Sequence, residues 1–223
     1  MGDFGDVIRF ADAPAGYPYG VGGDASVIWH CDYATDDIYE LKISDLSSLR
    51  NANSPSSKPY GIGGDADVIW HCDINTVDIY ELKVSDFSSL RNADSPAGNP
   101  RGVGGNASVI WHSDVGTVDI YELKVFDLSV ERFDDAPTNF QYGIGGDADT
   151  IWSCDMSADD VYELKVLDFS SLRNADSPAT DAYGIGGDAS AIWHSDVGTT
   201  DIYELNTGAI PEGGHNSQIV IIS

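Results

Sequence analysis

Short apolar runs alternate with polar loops along nearly the whole chain. In residues 61–82, GIGGDADVIWHCDINTVDIYEL, the runs DVIWHC and DIYEL are rich in Val, Ile, Trp and Tyr, and Asp, Asn and Thr separate them. That pattern predicts two strands joined by a tight loop. A weaker strand is expected around Ser88–Asn92, before a Pro/Gly/Asn loop, and YGIGG reads as a short fourth strand. No stretch has helical periodicity of useful length.

The same pattern recurs at a fixed interval. Tryptophans fall at 29, 70, 111, 152 and 193, and the tyrosines of IYEL or VYEL at 39, 80, 121, 162 and 203, each 41 residues apart. Four strands in a helix-free repeat of this length make a propeller blade. The fold class is therefore all-β, a five-bladed β-propeller in one domain. Its cores run over about 19–59, 60–100, 101–141, 142–182 and 183–205, with residues 1–18 closing the last blade through a strand near Asp6–Asp12. GVGG or GIGG in every copy keeps the inner strands slim, as a narrow channel requires, although the second glycine pair also suits a turn. Residues 206–223 leave the repeat. Their apolar end, Gln218–Ser223 (QIVIIS), is expected to pair beside the N-terminal strand, with self-association through a neighbouring molecule as the other option.

Charge narrows the partners. The chain has 37 acidic against 11 basic residues, a formal net charge of −26, which repels nucleic acid and anionic membranes. Opposed acids recur in every blade, so stability is expected to rise with ionic strength or added Ca2+. No apolar run is long enough for a membrane-spanning helix, so membrane insertion is not expected. The first residues show neither the basic nor the apolar region of a signal peptide, and an extracellular or cell-surface setting is favoured. Cys31, Cys72 and Cys154 occupy one repeat position that is Ser113 and Ser195 elsewhere, which reads as a small buried group rather than a disulfide or a metal ligand.

The repeat IWHCD (Ile28–Asp32) followed six residues after its Asp by Ile38-Tyr39 resembles the YWTD and NHL class of propeller repeats. It departs from that class in placing Trp three residues before the Asp and in having five copies where six are common. A second resemblance, through Gly-x-Gly-Gly, a strand ending in Asp and a following Ile-Tyr strand, is to five-bladed tachylectin-type lectins. Both imply binding or scaffolding more often than catalysis.

A four-residue loop between the two central strands sets Asp32 opposite Asp37, His30 opposite Tyr39 and Trp29 opposite Glu40. Trp29 is then expected in the blade-to-blade core, its indole reaching an acceptor such as Glu40 while Lys42 lays its stem over the ring. His30, His71, His112 and His194 read as buried rings bonded to Asp or Tyr, with Ser153 in the fourth copy. The facing pairs Asp32/Asp37, Asp73/Asp78, Asp114/Asp119, Asp155/Asp160 and Asp196/Asp201 need compensation. Capping of loop N–H groups is the preferred reading; a nearby His or a hard cation such as Ca2+ would also serve, and no other cofactor is expected. Tyr19, Tyr60, Arg101, Tyr142 and Tyr183 fall on the same face, ringed about the channel mouth.

Near-identical blades offer the same groups five times, whereas an active site needs unlike groups converging once. The off-pattern residues, among them Arg101, Phe126, Phe140 and Met156, form no recognisable triad or metal set. The expectation is a non-enzymatic, multivalent binding module whose loop face takes a neutral glycan, a cation or a protein partner. A structural or assembly module is the alternative, and a glycoside hydrolase the remote one.

Overall fold

The computed structural model describes residues 2–208, which form twenty strands, β1 to β20 in chain order, and no helix. In the first blade the inner strand β2 (Pro18–Gly23) pairs with β3 (Ile28–Asp32), β3 with β4 (Asp37–Leu41), and β4 with the outer β5 (Ser48–Asn53). All pairings are antiparallel, and three further blades repeat them. The fifth sheet is composite. Its outer strand is β1 (Val7–Asp12), which sets Val7 opposite Leu205 and Asp12 opposite Asp201 on β20 (Asp201–Leu205). The molecule is a five-bladed propeller closed by its N-terminal strand, as the repeat predicts. The outer strand of the second blade, expected around Ser88–Asn92, spans Ser89–Asp94. The tail expected to pair, Gln218–Ser223, lies outside the described residues.

Two rings of contacts hold the blades. At the axis, a Cβ on any of Gly22, Gly63, Gly104, Gly145 and Gly186 would lie 2.8–3.0 Å from the Cα of the next, so the inner strands touch backbone to backbone. A second tier, Gly20, Gly61, Gly102, Gly143 and Gly184, would bring a Cβ to 2.5–2.7 Å from main-chain atoms of the adjacent strand. The last glycine of each run serves the turn instead: Gly23 has φ +138, and a Cβ there would overlap the Val27 carbonyl. Both sequence readings of the glycines therefore hold, at different positions.

Farther out, the fully buried tryptophans link the blades. The Trp29 indole N–H donates to the Asp65 carbonyl of the next blade, and Trp70, Trp111, Trp152 and Trp193 repeat the bond to Asn106, Asp147, Asp188 and Asp24 at 2.9–3.3 Å. This corrects the expected Glu40 acceptor. Glu40 binds Arg50 instead, at 2.6 Å. The Arg50 guanidinium crosses to the Val84 and Ser85 carbonyls of the next blade and covers the Phe87 ring at 4.4 Å, while Lys42 is exposed. A planar guanidinium can bind a carboxylate, two carbonyls and a ring face at once; an ammonium cannot.

The axial contacts are backbone on backbone, so nothing flexible can give way to an added methyl. Gly104→Ala is expected to destabilise the protein by about 1–3 kcal/mol, while Gly98→Ala, with nothing within 4 Å of its would-be Cβ, stays near wild type. Chemical denaturation of both variants checks this, and equal midpoints would contradict it.

Candidate functional site

The five loops between the two central strands and the five connections into the inner strands share one end of the propeller, here the loop face. Register places Pro18, Asp32, Asp37 and Asn53 at that end and Gly23, Ile28, Leu41 and Ser48 at the other.

All ten paired aspartates are here, and they act first as caps. Asp32 is fully buried; its Oδ1 accepts the Ala34 and Thr35 N–H groups at 2.9 Å, and its Oδ2 accepts that of Tyr17 at 2.6 Å. Asp114 and Asp155 cap likewise, taking their third bond from Asn99 and Phe140. The facing members Asp37, Asp78, Asp119, Asp160 and Asp201 each accept the hydroxyl of the tyrosine two residues on, at 3.0–3.3 Å. The repulsion of opposed carboxylates is thus met by local donors. No group of three or more His, Cys, Asp or Glu side chains suited to a metal occurs among the described residues.

Two blades break this scheme. Position 36 of the repeat is left-handed throughout, and only Asp36 and Asp159 put a carboxylate there; the other copies have Val77, Val118 and Thr200. Asp36 Oδ1 captures the Lys58 N–H at 2.8 Å, and Asp159 Oδ1 that of Asp181 at 3.0 Å. Lys58 and Asp181 accordingly turn to φ +78 and +75. Their N–H groups are the ones that Asp73 and Asp196 would have received, and Oδ2 of each is left buried without a hydrogen bond. Burial pushes the Asp73 carboxyl up, and that of Asp196 up to about 6.

In the first of these two places the turn builds a cleft. Lys58 is carried over the Tyr33 ring, its amine 4.0 Å from the centroid, and the contact with the Tyr33 hydroxyl raises its pKa. Tyr17, Tyr33, Ala34, Asp36 and Lys58 line an open space of about 390 Å3, with the Tyr17 side chain 48% exposed. A smaller hollow of about 230 Å3, lined by Thr138, Asn139, Phe140, Asp155, Ser157 and Ala158, marks the corresponding place on the fourth blade.

Tyr19, Tyr60, Arg101, Tyr142 and Tyr183 do come together, as a plug. Tyr19 lies 4.6 Å from Tyr60 and 4.4 Å from Tyr183, Tyr142 lies 4.9 Å from Tyr183, and Arg101 stacks on Tyr60 at 4.3 Å and Tyr142 at 5.2 Å. The void beneath the rings holds no water-sized space. Burial, only partly offset by Arg101, pushes the Tyr60 hydroxyl up to about 12, so that hydroxyl stays protonated. The channel is open only at its other end, in a cup of about 170 Å3 lined by Gly22, Gly23, Asp24 and their equivalents.

The buried histidines are structural, with partners other than those expected. Nδ1 of His30, His71 and His112 lies 2.7–3.0 Å from a glycine carbonyl of its own inner strand. Nε2 of His71, His112 and His194 meets Ser54, Ser95 and Ser177, each at 3.0 Å. Where Ser153 replaces the histidine, that serine is Ala136, so the pair changes together. In the first blade the serine is Ala13 while His30 stays, and its Nε2 is buried without a partner. Desolvation lowers all four histidines to about 4. The cysteines are free and buried, and Cys31 Sγ and Ser113 Oγ donate to equivalent carbonyls, those of Tyr60 and Tyr142.

The cleft residues Tyr17 and Lys58 were not among the expected site residues. They share one repeat position, filled by Tyr17, Lys58, Asn99, Phe140 and Asp181. Reading for what recurs passes over such a position; its variability is the signal.

No family model and no curated protein sequence matches the chain. Among solved structures it is similar to a glutaminyl cyclase of Myxococcus xanthus, with TM-score 0.76 and 11% identity over 90% of this chain and 95% of that one. A virginiamycin B lyase of Staphylococcus aureus gives TM-score 0.52 and 18% identity over 86% of this chain and 67% of that one. A streptogramin B lyase gives TM-score 0.52 and 17% identity over 88% and 72%. At these identities the likeness is one of fold: the chain is a β-propeller repeat protein.

Two predictions concern these buried groups. Ala13→Ser supplies the partner missing from His30 and is expected to add about 0.5–1.5 kcal/mol. Ala136→Ser, which meets no histidine, adds nothing; equal gains in denaturant midpoint would contradict the pairing. For Asp196, a folded pKa raised above the unfolded one favours the neutral form in the fold. The stability it contributes is complete below the unfolded value and is lost as pH rises through about 6. Melts from pH 4 to 7 should therefore fall more steeply for the wild type than for Asp196→Asn. Parallel curves would show that the carboxyl is solvated.

Proposed function

We propose that the protein is a non-enzymatic binding module that holds a saccharide in the cleft of Tyr17, Tyr33, Asp36 and Lys58. The observation that carries this reading is the Asp36–Lys58 bond. It places a non-glycine residue in the left-handed region and leaves the buried Asp73 carboxylate short of a donor. Backbone strain and a buried carboxylate oxygen without a donor both cost stability, and such costs gather at binding sites. Here they coincide with an aromatic-walled space. The exposed Tyr17 ring suits the C–H face of a sugar, and carboxylate and amine edges suit its hydroxyls, while Tyr33, stacked on Tyr19 and carrying Lys58, forms the wall behind.

Valency follows from the loops. The five copies share their frame, but the cleft position differs in each, so the loop face supports one principal site rather than five equal ones. The plug abuts that site through Tyr33, which stacks on Tyr19 at 4.6 Å and meets Tyr60 at 5.4 Å.

A glycan array followed by titration calorimetry tests the reading. Wild type is expected to bind a subset of saccharides, and Tyr33→Ala to weaken binding at least about tenfold, because it removes the wall on which Lys58 rests and one hydroxyl of the cleft. Asn99→Ala, at the equivalent place on the third blade, leaves affinity unchanged. Binding that survives Tyr33→Ala, or an array with no saccharide bound, would overturn it.

A further inference from the structure

Eleven basic residues serve this acidic chain, and nine are used by the repeat itself. Arg9, Arg50, Arg91, Arg132 and Arg173 are paired with Glu204, Glu40, Glu81, Glu122 and Glu163. Lys42, Lys83, Lys124 and Lys165 directly follow the leucine of each E-L pair and lie at the cup end, away from the loop face. Two remain, Lys58 and Arg101, and neither makes an ion pair among the described residues. Both break the repeat, and both lie on the loop face at adjacent blades.

They are also joined. The Lys58 amine sits on the Tyr33 ring at 4.0 Å, Arg101 sits on the Tyr60 ring at 4.3 Å, and Tyr33 meets Tyr60 edge to face at 5.4 Å. Lys58 is exposed and can touch a ligand. Arg101 is half-buried, with Nε and Nη1 enclosed and without hydrogen-bond partners. A charge wrapped in aromatic rings is poorly screened by water, so its field carries to the mouth of the cleft. In a protein of net charge −26, the two cations that depart from the repeat converge on one aromatic patch.

From this we infer that the saccharide carries a carboxylate: the ligand is an acidic sugar with one uronate-type group, held by Lys58 and favoured by the field of Arg101. This rests on the saccharide reading of the cleft given above. A polyanion is a poor fit, because beyond this patch the protein's own field repels it. A single carboxylate gains the local cations at small long-range cost. Asp36, which lines the same cleft, offsets one of the two cations, so Lys58 and Arg101 together leave the patch one net positive charge, a match for a single carboxylate.

Titration calorimetry with methyl glucuronide and its neutral methyl ester, at 150 mM salt, tests the charge separately from the sugar. The acid is expected to bind about tenfold tighter than the ester, the usual gain of a charge-assisted over a neutral hydrogen bond. Lys58→Gln should erase that preference, read as the ratio of acid to ester affinity, whatever it does to the ester's own affinity. Arg101→Tyr, which restores the residue of the other four blades and so leaves the fold intact, should reduce it. Equal binding of acid and ester, or a preference untouched by both substitutions, would overturn the carboxylate assignment and leave the saccharide site standing. A sulfated glucoside binding as tightly as the glucuronide, or a peptide with a free C-terminus displacing it, would overturn it too. If neither acid nor ester binds, and Tyr33→Ala changes nothing on the array, the saccharide reading itself has failed.

Discussion

Five backbones meet at one axis with no side chain between them. A Cβ added to any glycine of the ring from Gly22 to Gly186 and back would lie 2.8–3.0 Å from the next Cα, too close for a methyl without a shift of the backbone. Much else follows from that contact. Strands this close leave a channel too narrow to hold a ligand along its length, so one end is sealed by tyrosines and the other is a shallow cup. The blades must fan outward from the axis, and the widening gap between them is filled by progressively larger groups: Val21 or Ile62 near the centre, Trp29 farther out, and the Arg50–Phe87 clamp at the rim. A ring of indole-to-carbonyl bonds, closed by Trp193 onto Asp24, then ties the last blade to the first.

Acidity is handled locally. An excess of carboxylates would be costly if it were left to repel across the sheets, but the buried member of each pair is wrapped by loop N–H groups and the other is bonded to a tyrosine hydroxyl. Such bonds are short-ranged and recur from blade to blade, save the third donor missing at Asp73 and Asp196, which is why the frame accepts repetition. Function needs the reverse. The cleft exists because Asp36 takes a donor that another carboxylate would have had, and the structure bears the loss at Asp73. Blade-to-blade identity builds the support, and departures from it build the site.

The fold was legible because its determinants are periodic. Trp at every forty-first residue, alternation in DIYEL and the glycine runs each report a contact that recurs, and the strand pairing followed from the hairpin register. The partners of Trp29 and His71 were not legible, because both lie on other segments: a main-chain carbonyl of the next blade and a serine in the loop entering the same blade. A main-chain acceptor leaves no residue-type signature. The cleft was hidden for a different reason. Position 17 and position 36 of the repeat vary, and their link, Asp36 to Lys58, depends on a left-handed turn that no pattern of apolar residues announces.

Amide hydrogen exchange with and without a saturating acidic saccharide tests the whole account at once, because it reads both ends of the propeller and all five joints in one experiment. The account predicts added protection confined to residues near 17, 33–36 and 56–60, with the other four joints unchanged. Protection centred on the cup at Asp24, Asp65, Asn106, Asp147 and Asp188, or spread equally over all five joints, would contradict it.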